Sequence, residues 1–313
     1  MAVNVPATPE ARLRQARRIR QPQWGSVLWS AARTPRGMIG LGLAAFVVLV
    51  AVIGPFVAPN APDALVTLAF GKPSGQFLLG GDFLGRDVLS RVLDGGWVLL
   101  IMAACATVLG IAGGATAGVS AAYLRGASDG IIMRAADVIL SFPQIVFALL
   151  LLSLLGPRLW LITIAVGVSH APQVARVLRS ATLDLSERDF VKAAELQGMR
   201  PAKVMWKEIL PNLVSPLMVE AGLRLTYSIV IIAGLAFLGF GPPPPAASWG
   251  TMINENRDGL SLSPWAVIVP ALLIALLTIG MNMFTDAFAR VAIGVDRQPE
   301  EAALIENLSP GSR

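Results

Sequence analysis

Ser186–Pro211, SERDFVKAAELQGMRPAKVMWKEILP, is the longest polar stretch between two strongly apolar regions. It carries its own start and stop signals. Ser186 is a residue that caps helix N-termini, and Asp189 follows three residues on, near a capping-box arrangement. Gly198 suits a left-handed helix end. Pro201 suits the first turn of a second short helix, and Pro211 blocks its continuation. Ala193 and Ala194 give a flat, small-residue face that another backbone can approach closely. Arg188, Lys192, Arg200, Lys203 and Lys207 keep the segment wet and positive. On spacing alone the stretch is equally well a solvated loop with two helical turns.

The surrounding composition says what the segment is embedded in. The chain has 313 residues, 55% hydrophobic and only 14% charged, with a mean hydropathy of +0.66. A soluble domain carries about 25% charged residues. This composition marks an integral membrane protein, expected to be all-α from the six spans that follow. The net charge of +5 follows membrane topology, as shown below, so nucleic acid is not an expected partner. One cysteine, Cys105, inside an apolar run, excludes a disulfide framework and a thiolate metal cluster. One histidine, His170, leaves no room for a His-rich metal site.

Six apolar stretches approach the ~20 residues that a bilayer needs: 38–57, 97–123, 138–155, 159–174, 213–239 and 265–288. Pro55 and Pro59 are expected to end the first. The second is rich in Gly110, Gly113, Gly114 and Gly118, which suits close helix packing in lipid. Residues 125–137 read as a short return loop. Pro143 is expected to kink the third span unless it falls in a first turn. The fourth is expected to run on as a helix past Arg176 and Arg179. Pro/Gly-rich connections follow at 58–96 and 241–264. In the first, Asp82, Arg86, Asp87 and Arg91 have spacing that places opposite charges on one helix face.

Basic residues set the orientation. Only Lys72, Arg86, Arg91, Arg158 and Arg257 of the 25 Lys and Arg fall in the three outer connections, and Arg224 lies inside a span. The rest lie in the two termini, the 125–137 stretch and the segment 176–207. This puts both termini in the cytoplasm. The expected organisation is a basic cytoplasmic tail 1–37, a first span with its outer loop 38–95, a core 96–290 containing residues 186–211, and a cytoplasmic tail 291–313. An apolar run as long as 38–57 is not a secretory leader.

Chemistry-bearing residues are sparse. No Walker-type phosphate loop occurs, since Gly71-Lys72 is followed by Pro73. No catalytic residues and no metal ligands are expected. Glu220 and Arg224, four apart on the fifth span, can neutralise each other as a structural pair or take part in gating. Asp286 can reach the interface, and His170 reads as a packing residue. No chain of intramembrane acids suggests a proton or sodium pathway. The class-level alternative is an ion-driven carrier or channel.

Several motifs in order resemble a known family. Lys192-Ala193-Ala194, Gly198 and Ile209-Leu210-Pro211 resemble the EAA loop of ABC-importer permeases, with Lys192 where that family has its Glu. Glu195 is not at the family position. Arg33-Thr34-Pro35 with the following span and Ala58-Pro59 resembles the first span of the dipeptide/oligopeptide (and nickel) branch, C-type subunit. Gly80 to Arg91 is similar to its G-T-D-x-L-G-R-D-V-L-S-R signature, Gly81 replacing Thr. Pro243 to Gly250 resembles its P-P-x-P-S-W-G loop, with Ala246 and Ala247 intervening.

The resemblance implies a type I ABC-importer permease (MetI-like) fold in the bacterial inner membrane. It implies ATPase coupling through Phe190, Lys192, Ala193, Ala194, Gly198, Ile209, Leu210 and Pro211. It implies an extracytoplasmic loop motif of Asp82, Gly85, Arg86, Asp87, Arg91, Ser248, Trp249 and Gly250. The implied partners are a homologous B-type permease, two cytoplasmic ATPase subunits that hold ATP and Mg, an extracytoplasmic binding protein, and membrane lipid. The implied cargo is di- or oligopeptide, with nickel or glutathione as alternatives.

Overall fold

A computed structural model describes residues 24–243 and 245–293. The basic stretch before residue 24, Pro244 and the tail from 294 lie outside them. The described residues form helices and no strand, apart from isolated bridges at Leu65–Arg86 and Gly81–Asp87.

A short helix, α1 (Trp24–Arg33), leads into α2 (Pro35–Val57), the first span. Thr34 caps α2, its Oγ1 accepting from the Gly37 N–H at 3.0 Å, and Pro35 occupies the first helical position. The helix runs through Pro55 to Val57. The expected stop at Pro55 is thus not a stop; a proline near a helix end removes one bond without ending the turn. A cap region follows, holding α3 (Val88–Asp94), and then α4 (Trp97–Leu124) returns across the bundle.

The third span is two helices. α5 (Gly126–Leu140) and α6 (Gln144–Leu155) meet at 85°. Residues 125–137, expected to be a loop, are mostly helical. Apolar and polar residues mix there at short range, which hides a helix tied to the following span by ion pairs, Asp129 with Arg179 and Asp137 with Arg176. Pro143 sits at the break in extended geometry, before α6 rather than inside a kinked helix. α7 (Leu159–Ser186) is continuous past Arg176 and Arg179 as expected, and it absorbs Pro172.

Residues 186–211 fold as α8 (Asp189–Leu196) and α9 (Pro201–Val204), then a π-type turn and a 3-10 turn. Arg188, not Ser186, takes the cap position of α8; the Ser186 hydroxyl donates to the Leu183 carbonyl instead. Gly198 has φ +74 and Pro201 opens α9, both as expected. Pro211 does not halt the chain, which tightens through Leu210–Leu213 into α10 (Val214–Leu235). A second short cap helix, α11 (Trp249–Asn256), precedes the last span, α12 (Trp265–Ile293). Among the described residues, five helices are long and apolar enough to cross a membrane, six with the bent pair counted as one.

Between the spans, among the described residues, backbones touch at two seams. On α4, a Cβ at Gly114 would lie 2.6 Å from the Ala171 carbonyl oxygen of α7, and one at Gly118 would lie 2.4 Å from that of Ala175. A Cβ on Gly40 of α2 would lie 2.7 Å from the Gly280 oxygen of α12. With lipid as solvent, such small-residue contact is what holds helices together, because apolar burial gives little preference for protein over tails.

Gly118→Val should therefore spread α4 from α7 and cost roughly 1–3 kcal/mol by overpacking. Gly113→Ala, whose Cβ would sit 3.6 Å from Ala171, should be near neutral. Thermal unfolding in detergent separates the two; equal melting points would mean that the seam is not what sets helix spacing.

Candidate functional site

The polar segment stands at one end of the bundle as a knob with a fixed underside. Val191 and Ala194 of α8 are buried, with Val204, Ile209 and Leu213. They pack with Ala115 and Val119 of α4 and Val174 and Leu178 of α7. Ala194 thus faces the protein's own core, and only Ala193 is exposed. The expected two-alanine docking face is half of that. Helical phase decides it: Val191 and Ala194, three apart, share the buried side, and the ~100° step turns Ala193 outward.

Polar contacts tie the same knob to the span ends. Tyr123 Oη donates to Glu195 at 2.7 Å, and Arg125 donates to Glu187 at 2.6 Å. Lys192 Nζ lies 3.5 Å from Glu187. The Arg125 guanidinium, with Lys192 beside it, holds the Glu187 carboxyl below its usual range. These ties are exposed and individually weak. The knob's outer surface presents Phe190, Lys192, Ala193, Leu196 at 90% exposure, Trp206 at 53%, and Pro211. Leu210 is half-buried against the underside. Leu196 and Trp206 were not singled out from sequence. Their signal was only that they are large apolar residues in a polar stretch.

At the opposite end, the two loop motifs lock together. Asp82 is fully buried and precedes α3, so its partners are not on one helix face as expected. Its Oδ1 accepts from the Leu84 and Arg86 N–H groups, each at 2.9 Å. Its Oδ2 accepts from Arg86 Nε at 2.6 Å and Arg91 Nη1 at 2.5 Å. Glu255 of α11 accepts from the same two arginines, at 3.0 and 2.8 Å. Two cations and two anions thus form a neutral cluster. Asp87 instead caps α3, accepting from Leu89 N, Ser90 N and the Ser90 hydroxyl.

Gly85 turns the chain at φ +85, where a side chain would be strained and would strike the Thr67 carbonyl. Trp249 is fully buried; its Nε1 donates to the Val92 carbonyl at 2.8 Å, and its ring fills the space above Gly96. Gly250 packs against Ala233 and Ala236, and Ser248 is buried beside them. Asn256 accepts from the Phe83 N–H at 2.9 Å, and Ser263 donates to the Gly81 carbonyl. Glu255 and Asn256 were missed from sequence, because nothing local tells that their partners lie more than 160 positions away.

Comparison with known sequences says what kind of protein carries these two ends. Residues 114–292 match the family described as binding-protein-dependent transport system inner membrane component. The chain belongs to that family. Residues 22–73 match the N-terminal TM domain of oligopeptide transport permease C. The di/tripeptide transport system permease protein of Pseudomonas aeruginosa is 34% identical over 82% of this chain and 88% of its own length. The dipeptide transport system permease protein of Alkalihalophilus pseudofirmus is 30% identical over 84% and 87%. The glutathione transport system permease protein of Pectobacterium atrosepticum is 35% identical over 68% and 71%.

As a permease subunit of an ABC importer with a MetI-like fold, the chain has its membrane-depth polar groups matched to one another. Arg224 Nε donates to Glu220 at 3.1 Å and Nη1 to the Gln173 side chain. His170 is buried, and its Nε2 lies 3.1 Å from the Ser228 hydroxyl, which lies 3.3 Å from Thr107 Oγ1. Gln144, the first residue after the 85° break, reaches the Ser169 carbonyl and His170 Nδ1, each at 3.4 Å. Among the described residues no group of three or more His, Cys, Asp or Glu has metal-binding geometry.

In the permease's charge cluster at the end opposite the knob, Asp82→Asn leaves two buried guanidiniums facing one carboxylate. Removal of one partner from such a cluster costs about 3–5 kcal/mol. Arg257→Gln, at an exposed pair with Asp258, should change stability by less than about 1 kcal/mol. Protease resistance of the 58–96 region, together with thermal unfolding, checks the contrast.

Proposed function

We propose that this permease is one half of a two-subunit pore that imports di- or oligopeptides, driven by separate ATPases that dock on residues 186–211. The observation that carries the reading is the knob itself. Phe190, Leu196 and Trp206 are held out from the membrane spans on short helices whose undersides are buried. Apolar side chains held out in this way mark a protein contact.

In this reading the knob end is cytoplasmic, as the basic residues favour, and both termini lie there. Two ATPase subunits hold ATP and Mg and close on one another. One receives the tip of α8 in a surface cleft, and the other serves a homologous B-type sister. The cap end, built by Asp82, Arg86, Arg91, Trp249 and Glu255, receives an extracytoplasmic binding protein. Lys192 stands where the family has Glu. Here it pairs with Glu187 of its own chain, so the cleft that receives it need not supply a cation.

The peptide cargo rests on the relatives' names. Two of the three relatives named above are di- or tripeptide permeases, and the third takes glutathione, itself a tripeptide. The same machine importing glutathione is therefore the second reading.

Uptake of a radiolabelled dipeptide into cells carrying the whole transporter tests this. Ala193→Trp adds bulk to the exposed face without touching the core and should cut uptake at least about tenfold at an unchanged membrane level. Normal uptake by that variant would remove the knob from the coupling role. Uptake into liposomes holding this chain alone would instead favour a channel or ion-driven carrier. Competition by unlabelled dipeptide, glutathione and nickel sorts the cargo.

Gly198 gives an independent check. A Cβ there would meet nothing within 4 Å, so only backbone strain opposes substitution. Gly198→Val should cost roughly 1–2 kcal/mol of local stability and lower uptake, whereas Gly198→Asn, which tolerates positive φ, should keep most of it.

A further inference from the structure

Two cations line one cavity at the knob end of the bundle. The cavity, about 290 Å³, is walled by Thr34, Pro35, Arg36, Ala287 and Arg290, where the first turn of α2 meets the last turns of α12. Both arginines are exposed. Among the described residues, no carboxylate lies within 4.0 Å of either guanidinium. Asp286, one turn before Arg290, is also exposed and not paired with it. Like charges sharing a cavity repel, and an anion between them removes that cost. The positive end of the α2 dipole adds to the field.

Depth favours a lipid as the source of the anion. α2 has 23 residues, roughly 35 Å of helix against about 30 Å of hydrocarbon. Its first residues therefore sit at headgroup level. Met38 and Ile39, just beyond Arg36, are more than half exposed and apolar, as lipid-facing residues are. Beside the cavity, α1 buries Val27 and Ala31 against Phe288 of α12. It turns Leu28 and Trp29 outward, Trp29 at 61% exposure. The Arg33 guanidinium lies 4.6 Å from the Trp29 ring centroid. An aromatic beside cations, on an amphipathic helix at this depth, is the pattern of an interfacial anchor.

We propose that this cavity binds the phosphate of an anionic phospholipid in the leaflet at the knob end. Arg36 and Arg290 hold the phosphate oxygens. The acyl chains run along Met38 and Ile39, and α1 lies at the interface beside the headgroup with Trp29 at its level. The proposal stands independently of the cargo and of which ATPase docks on α8.

The test is native mass spectrometry of the full-length chain extracted in detergent, titrated with phosphatidylglycerol, phosphatidylcholine and inorganic phosphate. The unaltered chain should hold one phosphatidylglycerol at least about tenfold more tightly than R36Q/R290Q, given the worth of each basic residue near an anionic surface. R36K/R290K should keep most of that affinity. Equal phosphatidylglycerol affinity in R36Q/R290Q overturns the proposal, as does phosphatidylcholine held equally well by the unaltered chain. Displacement of the lipid by millimolar inorganic phosphate makes this a free-anion site and overturns it too. If R36Q/R290Q is not recovered folded, R290Q alone gives the same comparison, with a loss of about threefold or more.

Discussion

The contact between the backbones of α4 and α7 is the constraint that the rest of the molecule is built on. Gly114 and Gly118 let carbonyls of α7 approach to where a methyl would otherwise stand. In a lipid solvent, close van der Waals contact and not apolar burial holds two helices at a fixed spacing. The seam therefore sets the position of α7 along its length, including its C-terminal half. That part carries Val174 and Leu178, against which Val191, Ala194 and Ile209 pack. A knob seated on that surface inherits its rigidity. Force applied to Phe190 or Leu196 meets a close-packed wall, and close-packed interiors transmit strain and do not absorb it.

The cap end reaches rigidity by a different route. Its connection is rich in Gly and Pro and has few long helices, so apolar packing alone cannot hold it. Charge does that work there. Asp82, Arg86, Arg91 and Glu255 neutralise one another while largely withdrawn from water, and Trp249 seals the layer beneath. Such a cluster adds little net stability compared with an apolar core, but it strongly penalises any arrangement that separates its members. It specifies which loop lies on which.

What the sequence made legible follows from the range of each interaction. Six apolar stretches were visible because a bilayer imposes length on each segment by itself. Gly198 and Pro201 were visible because turn chemistry is local: one needs positive φ, the other a missing N–H. The glycines of the second span signalled close packing, although not the partner. Long-range facts stayed hidden. Glu255 looks like any exposed acid until the fold brings it to Arg86. Ala194 looks like the twin of Ala193 until helical phase turns one inward. The 125–137 stretch reads as a loop because the partners of its Asp129 and Asp137, Arg179 and Arg176, lie 50 and 39 positions on. Ser186 has the chemistry of a cap but is used as the last turn of α7. The role assigned to residues 186–211 came from resemblance, and its physical content, a stiff projection with an apolar tip, came from the structure.

The membrane-depth polar groups bear on how energy reaches the pore. Glu220 is matched by Arg224, which also holds Gln173. His170 is matched by Ser228 and Gln144. Proton and ion pathways through a membrane are commonly marked by intramembrane acids and histidines that face a cavity or one another. Among the described residues, the single span-buried acid of the α7–α10 interface is neutralised four positions away on its own helix. The polar contacts instead join elements: Gln144 ties the start of α6, just past the 85° break, to α7, and Ser228 ties α7 to α10. Groups arranged in this way hold helices in register. A polar interior arranged for registry accords with the proposal that free energy reaches the pore as displacement of the knob on α8, which the buried contacts of Val191 and Ala194 seat rigidly at the end of α7.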